Sequence, residues 1–245
     1  MGRRVTALLD EMGSSLWLSP KDIPENGKVV LRPLACRRPK DGWPIEVERG
    51  EIVIEEEFED RPFWVGQLIH FVDGAGEGGK KKTFRCRRTY YREMTKKKGK
   101  PYSCPFCDLS KVLQASADKS DKEAGRDLSM ILKCVMNVVD QDGTIRYFSF
   151  MQKTILKQIR ELAEDCGNLG DKNTGRKLVI RKLNEKGRIS YTVRAMDAEP
   201  VGDYQGTIKN LVELCLETDS ISIAEGRELL LENYNAGQFF PKWGQ

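Results

Sequence analysis

Residues 70–107, HFVDGAGEGGKKKTFRCRRTYYREMTKKKGKPYSCPFC, hold the chain's only histidine, His70, followed by Cys86 and the pair Cys104-Pro105-Phe106-Cys107. Fifteen residues separate His70 from Cys86, and seventeen separate Cys86 from Cys104. A Cys-x2-Cys pair at a turn can set two thiolates about 2.3 Å from one zinc ion, and two further nitrogen or sulfur ligands complete a tetrahedron. Thiolates with an imidazole favour zinc over magnesium or calcium. His70, Cys86, Cys104 and Cys107 fill all four positions, which leaves none for a substrate and marks a structural Zn2+ rather than a catalytic one. The competing reading is a metal-free or thioredoxin-like redox pair. Such a pair should open a helix within a βαβ unit, whereas Pro105 stands inside this one and a basic stretch precedes it. The rest of the chain reads as scaffolding for this stretch.

The same stretch is charged. Lys80 to Lys100 contains eleven Lys or Arg and one acid, Glu93, interrupted by Phe84, Tyr90 and Tyr91, with Tyr102 just beyond. It carries a net +10 against +4 for the whole chain, so everything else sums to −6. Eight acids fall between Glu46 and Asp60. A strongly basic patch hidden in a modest total argues for a polyanionic partner better than the total does. Flat rings on a positive loop point to a nucleic-acid strand.

The 245 residues suffice for one elaborate domain or one domain with appendages. No apolar run approaches the roughly 20 residues needed to span a bilayer, and the N-terminus lacks the apolar segment of a secretory signal. Seven cysteines without such a signal fit a reducing compartment, so the chain reads as intracellular with no membrane partner. Cys134, Cys166 and Cys215 lie in apolar or helical contexts and read as small core residues. Cys36, beside Arg37 and Arg38, is the spare ligand should His70 not serve.

Residues 1–20 form a first segment in which MGRRVTALLDEM is either a frayed terminus or a basic arm that docks on a neighbour or on phosphate. From Gly27 the pattern alternates with period two. GKVVLRPL sets Val29 and Leu31 against Val30 and Arg32, and IEVERGEIVI reads as a half-buried hairpin followed by an acidic loop. FWVGQLIHFV (63–72) is a continuous apolar strand ending at His70. GAGEGGKKK (74–82) is a flexible loop without a phosphate-binding ending. TFRCRRTYY (83–91) alternates again, and 108–129 starts helical and then turns polar and mobile. MILKCVMNVV (130–139), the turn DQDG and TIRYFSF (144–150) form a hairpin. TILKQIRELAEDCG (154–167) is a helix with Ile155, Ile159, Leu162 and Cys166 on one face and Gly167 as its stop. KLVIRKL (177–183) and ISYTVRAM (189–196) form another hairpin turning at Glu185 to Gly187. Two helices, around 208–216 and 224–232, precede the aromatic tail QFFPKWGQ. This order predicts a mostly β (α+β) fold: an OB-type Greek-key barrel over 21–200 with a zinc subdomain inserted at about 63–128, and a C-terminal helical region over 201–245.

An OB-type barrel holds a single strand with a basic groove and aromatic faces, each stacked base contributing about 1–3 kcal/mol. Candidate groove residues are Arg32, Arg85, Arg87, Arg88, Tyr90, Tyr91 and Tyr102 near the metal site, and Tyr147, Phe148, Arg181, Tyr191 and Arg194 on the later hairpins. The lysine triplets 80–82 and 96–98, which bracket aromatics, read as phosphate contacts. For every one of these rings the alternative is ordinary core packing.

In order, these features resemble the single-stranded-DNA-binding (helix-destabilising) proteins of T-even-type bacteriophages. The matching pieces run through most of residues 1–200: the arm GRRVTALLDEM, the strand GKVVLRPL, a lone His followed by Cys, YSCPFCDLSK, MILKCVMNVV and IRYFSFMQKTILKQI. The YSCPFC segment and the His-Cys-Cys-x2-Cys order are the most specific. The resemblance implies an OB barrel with a structural zinc subdomain, and His70, Cys86, Cys104 and Cys107 as ligands. It also implies Tyr102 and Arg32 as DNA contacts, and Arg3, Arg4 and Thr6 as an arm for self-association along DNA. Its implied setting is replication, recombination and repair, in the cytoplasm of an infected bacterium for a phage-encoded chain. The ligand gaps here are longer than in the best-known members, and 108–129 lacks their tyrosines. A mildly acidic helical region replaces their strongly acidic tail, which recruits replication and recombination enzymes.

Two other function classes compete. A nuclease or primase would need clustered carboxylates for magnesium, and the acids here are scattered, so the chain does not read as an enzyme. A zinc-bearing transcription or structural interaction factor would favour duplex, but no helix carries the basic and amide residues expected in a major groove.

Overall fold

The computed structural model describes residues 16–35, 52–54, 63–86, 104–216 and 221–244. In chain order its elements are β1 (Trp17–Leu18), β2 (Lys28–Pro33), β3 (Ile52–Ile54), β4 (Val65–Val72), β5 (Lys82–Arg85), α1 (Pro105–Ala115) and α2 (Lys119–Asp127). There follow β6 (Ile131–Val139), β7 (Ile145–Phe150), α3 (Lys153–Cys166), β8 (Arg176–Glu185), β9 (Arg188–Ala198), α4 (Leu211–Leu216) and α5 (Ile223–Tyr234). The protein is mixed α/β with a large, mainly antiparallel sheet. Among the described residues, no helix is long and apolar enough to cross a membrane. The chain divides into two compact units, one drawn from Met1–Arg37, Arg61–Trp64 and Val135–Lys209, the other from Arg38–Asp60, Val65–Cys134 and Asn210–Gln245.

In the first unit the strands run in the order β1-β7-β6-β2-β8-β9. Alternation in β2 and β8 puts Leu31, Leu178 and Ile180 in the core, each fully buried aliphatic side chain contributing about 1.5–3 kcal/mol. β2 is shared: Lys28–Leu31 pair with β8, while Arg32 and Pro33 pair with β6. The turn between β6 and β7 forms because the Asp140 carboxylate accepts from the backbone N–H groups of Asp142 and Thr144, and Gly143 takes a positive φ of 76°. Lys186 and Gly187, at φ 52° and 83°, make a two-residue hairpin turn between β8 and β9, one residue tighter than the Glu185–Gly187 turn read from the sequence. In α3, Ile155, Ile159 and Ala163 are buried, an i, i+4, i+8 stripe. Leu162 and Cys166, expected on that stripe, are only half-buried.

A Greek-key barrel of the OB type was expected, and the described strands do not close into a barrel. β1 and β9 end the path, and among the described residues no strand joins the outer edge of β9. The physical reason lies in α3. The Gln158 side-chain amide donates to the carbonyl of Tyr191 at 3.1 Å and accepts from the N–H of Val193 at 2.8 Å. One helical side chain thus takes two of the outward backbone groups of β9, and covered edges resist pairing with other chains.

In the second unit β4 lies between β3 and β5. Ile52 pairs with Gln67 and Ile54 with Val65 on one side, and His70 with Phe84 and Val72 with Lys82 on the other. All of β4 but Phe71 is buried, which explains its continuous apolar run. The hairpin predicted over 45–54 lies mostly outside the described residues, as does the acidic loop after it. The 108–129 segment, expected to be mobile, forms most of α1 and all of α2. Gly125 makes this possible: a Cβ there would sit 2.8 Å from the Leu113 side chain, so the two helices can approach only at a glycine. Ser110 Oγ donates to the Gly125 carbonyl at 2.7 Å across the same crossing. Both expected C-terminal helices are present, α4 starting at Leu211 rather than near 208, and α5 crosses α1 at Gly226, close against Pro105.

Candidate metal centre

The four sequence-predicted ligands converge. His70 lies on β4, Cys86 directly after β5, Cys104 caps the N-terminus of α1, and Cys107 lies in its first turn. The register does much of this work. His70 pairs with Phe84, and the N–H of Cys86 donates to the Leu68 carbonyl at 2.8 Å, so His70 and Cys86 fall on neighbouring sites of one sheet face. Pro105 at the first helical position has no N–H to leave unsatisfied. The helix that follows brings Cys104 and Cys107, three apart, to one side. The pair therefore does open a helix, against the sequence expectation, and Pro105 starts that helix rather than preventing it.

All four ligand atoms lie within 4.8 Å of one another and all four residues are buried. His70 Nε2 is 3.5 Å from the sulfurs of both Cys104 and Cys107. Cys86 Sγ is 3.5 Å from Cys107 Sγ and 3.9 Å from Cys104 Sγ. A tetrahedron with Zn–S of about 2.3 Å and Zn–N of about 2.0–2.1 Å requires sulfur–sulfur edges of about 3.8 Å and sulfur–nitrogen edges of about 3.6 Å. The observed edges fit, and the donor set suits a closed structural site. Bound there, zinc would supply cross-linking rather than chemistry on a substrate.

The surroundings prepare the ligands. His70 Nδ1 lies 2.7 Å from the Leu128 carbonyl oxygen, which can only accept. The proton therefore sits on Nδ1, and the Nε2 lone pair faces the sulfurs. Hydrogen bonds from Cys107 and Cys86 hold the Cys104 thiol well below its ordinary range, while sharing a proton with Cys104 pushes Cys86 up. Three sulfurs this close cannot all ionise without a cation among them. Phe106, between the two cysteines, lies 5.2 Å from the His70 ring and stacks on Phe84 at 5.6 Å. Leu230 and Ala236 are buried in the same cluster, with Phe239, Phe240 and Trp243 packed against it. The aromatic tail is thus part of the centre's apolar shell.

The candidate DNA contacts scatter. Arg3, Arg4, Thr6, Arg87, Arg88, Tyr90, Tyr91 and Tyr102 lie outside the described residues, as do Cys36 and the triplet 96–98. Arg32 is placed in the interior, 3 % exposed, donating to the carbonyls of Leu169 (2.8 Å), Asp171 (2.8 Å) and Glu199 (3.1 Å). Tyr147 and Phe148 are buried, and Tyr191 is half-buried with its hydroxyl 3.4 Å from the Pro20 carbonyl. Arg85 is half-buried, while Arg181 and Arg194 are exposed. Of the lysines at 80–82, Lys81 pairs with Asp73 at 3.2 Å and Lys82 lies 5.3 Å over the Phe84 ring. Cys134 and Cys215 are buried as expected, and Cys166 is half-buried. Sequence reasoning missed the Leu128 carbonyl, because a main-chain acceptor leaves no residue-type signal. It also missed Trp17, which is 37 % exposed with its ring edge-on to Tyr147 at 5.5 Å. No protein-family model matches the chain, and no curated protein matches it.

Proposed function

We propose that this protein binds single-stranded DNA through the basic aromatic stretch between its metal ligands, with zinc in a structural role. One observation carries the reading. Residues 87–103, which hold Arg87, Arg88, Tyr90, Tyr91 and Tyr102, run between Cys86 and Cys104, whose sulfurs lie 3.9 Å apart. A metal at this site closes the stretch into a loop. It would lower the entropy lost when that loop settles on a strand, which is how rigidified loops gain affinity. A chain using its zinc for catalysis would keep a coordination position open.

The first unit supports the same reading. β2 pairs with β6 and β8, β6 continues through β7 and α3 to β8, and β8 turns into β9. Five strands in that connection, with a helix between the third and fourth, fit an OB barrel left open at the edge Gln158 covers, and OB barrels are partly open Greek keys. Coating of single strands in replication, recombination and repair, with Arg3, Arg4 and Thr6 supporting self-association, follows from the phage-family resemblance. Recruitment of replication or recombination enzymes by the C-terminal region belongs to the same reading.

The test is a fluorescence titration with oligothymidylate and with duplex of equal length at two salt concentrations, using the four tryptophans and seven tyrosines as reporters. Quenching on single strands that weakens steeply with salt, spares duplex and falls after chelation is the expected result. Equal or stronger binding to duplex would instead support the transcription or structural interaction factor.

A further inference from the structure

The outward face of β2, β8 and β9 carries three cations that no acid answers. The strand register sets Lys28 opposite Arg181 and Arg181 opposite Thr192. In the next row Val30 stands opposite Val179, and Val179 opposite Arg194. Leu31, Leu178, Ile180 and Val193, which alternate with these residues, are buried, so the two rows face away from the core. Lys28, Arg181 and Arg194 are exposed, and among the described residues none of them makes an ion pair. Neither row contains an acid.

Like charges directly opposite one another across antiparallel strands repel. Arg194, diagonal to Arg181 at about 7–8 Å, adds a third positive charge. Two other strand cations of the same unit are paired: Lys177 with Glu199 at 2.7 Å and Arg146 with Asp140 at 2.8 Å. The half-buried Val30 and Val179 share the second row with Arg194, and the half-buried Leu183 flanks Arg181 on the opposite side, next to Ser190. Cations over an apolar floor suit a ligand with evenly spaced anionic groups and flat apolar parts.

We propose that this face binds the sugar–phosphate backbone of a single nucleic-acid strand, with Lys28, Arg181 and Arg194 as phosphate contacts. The inference rests on the single-strand reading above, but its residues are separate from the metal-anchored stretch. The experiment is a salt series of anisotropy titrations with labelled oligothymidylate on the full chain. It compares wild type, the triple variant K28Q/R181Q/R194Q, and a control, K111Q/K119Q/K157Q, that removes equal charge elsewhere. Each neutralised phosphate adds about 0.7 to the slope of log affinity against log salt for single strands. The face variant should therefore lose about 2 from that slope and roughly tenfold in affinity at low salt, and the control should keep the wild-type slope. Phenylglyoxal footprinting of wild type needs no variant: bound oligothymidylate should protect Arg181 and Arg194. Wild-type binding with an unchanged slope in a folded face variant, or with both arginines unprotected, overturns the face and leaves the single-strand reading standing. No wild-type binding at all overturns both.

Discussion

The carbonyl oxygen of Leu128, the residue that ends α2, lies 2.7 Å from Nδ1 of His70 on β4. The bond fixes the imidazole tautomer, so the polar helix α2 orients a candidate ligand without supplying one. One zinc per chain is expected by atomic emission after purification without chelator. His70→Ala should lose most of it and lower the melting temperature, because structural zinc contributes folding free energy directly. Full zinc content in His70→Ala would remove histidine from the ligand set.

Arg32 offers a sharper separation of roles. Its guanidinium donates to three carbonyls from the 169–171 turn and Glu199, and a Cβ at Gly175 would collide with it. Arg32→Ala leaves those acceptors unsatisfied in the interior, a loss of about 1–3 kcal/mol for each group that water cannot reach. Denaturant titration should show a destabilisation of about 3 kcal/mol, and Arg32→Lys should recover little of it, since an ammonium cannot span the same fork. A stable Arg32→Ala protein with weakened single-strand binding would return Arg32 to the DNA interface.

The convergence of His70, Cys86, Cys104 and Cys107 was legible because coordination chemistry imposes residue types and spacing that survive any fold. The β8–β9 hairpin was legible because its alternation is regular. Arg32 was misleading for a local reason: alternation placed it beside Val30, but β2 changes partners from β8 to β6 at Arg32, and the alternation ends there. The polar run KSDKEAGRD has no apolar stripe to announce a helix. It is held by the Asp118 cap, which accepts from the N–H groups of Ser120 and Asp121, and by the close crossing at Gly125. Barrel closure was unreadable for a similar reason, since Gln158 looks like any surface glutamine until β9 is beside it.

Asp171 gives the turn that Arg32 grips a pH dependence. Its carboxylate accepts from the N–H of Thr174 and of Asn173 and from the Thr174 hydroxyl, and with Arg32 nearby it is held below the ordinary carboxylate range. A depressed folded value means the contribution is complete above the unfolded value of about 3.9 and is lost as pH falls through the folded one. Asp171→Ala should melt below wild type at neutral pH, and the gap should close in scans taken below about pH 3.9. A gap that widens on acidification would contradict the assignment.

Gln158 makes the final case, because one side chain stands where a strand would otherwise pair. It satisfies the carbonyl of Tyr191 and the N–H of Val193. Gln158→Leu keeps the helix former and the bulk but removes both hydrogen bonds, at a cost of about 1–3 kcal/mol where the backbone groups stay shielded from water. If those groups instead become accessible, β9 is left as a bare edge strand, and bare edges recruit other chains. The expected outcome is a lower melting temperature together with concentration-dependent oligomers by light scattering. Gln158→Glu should hold an intermediate position, since a carboxylate still accepts from Val193 but cannot donate to Tyr191 when ionised. A Gln158→Leu protein as stable and as monodisperse as wild type would mean that β9 needs no such cover.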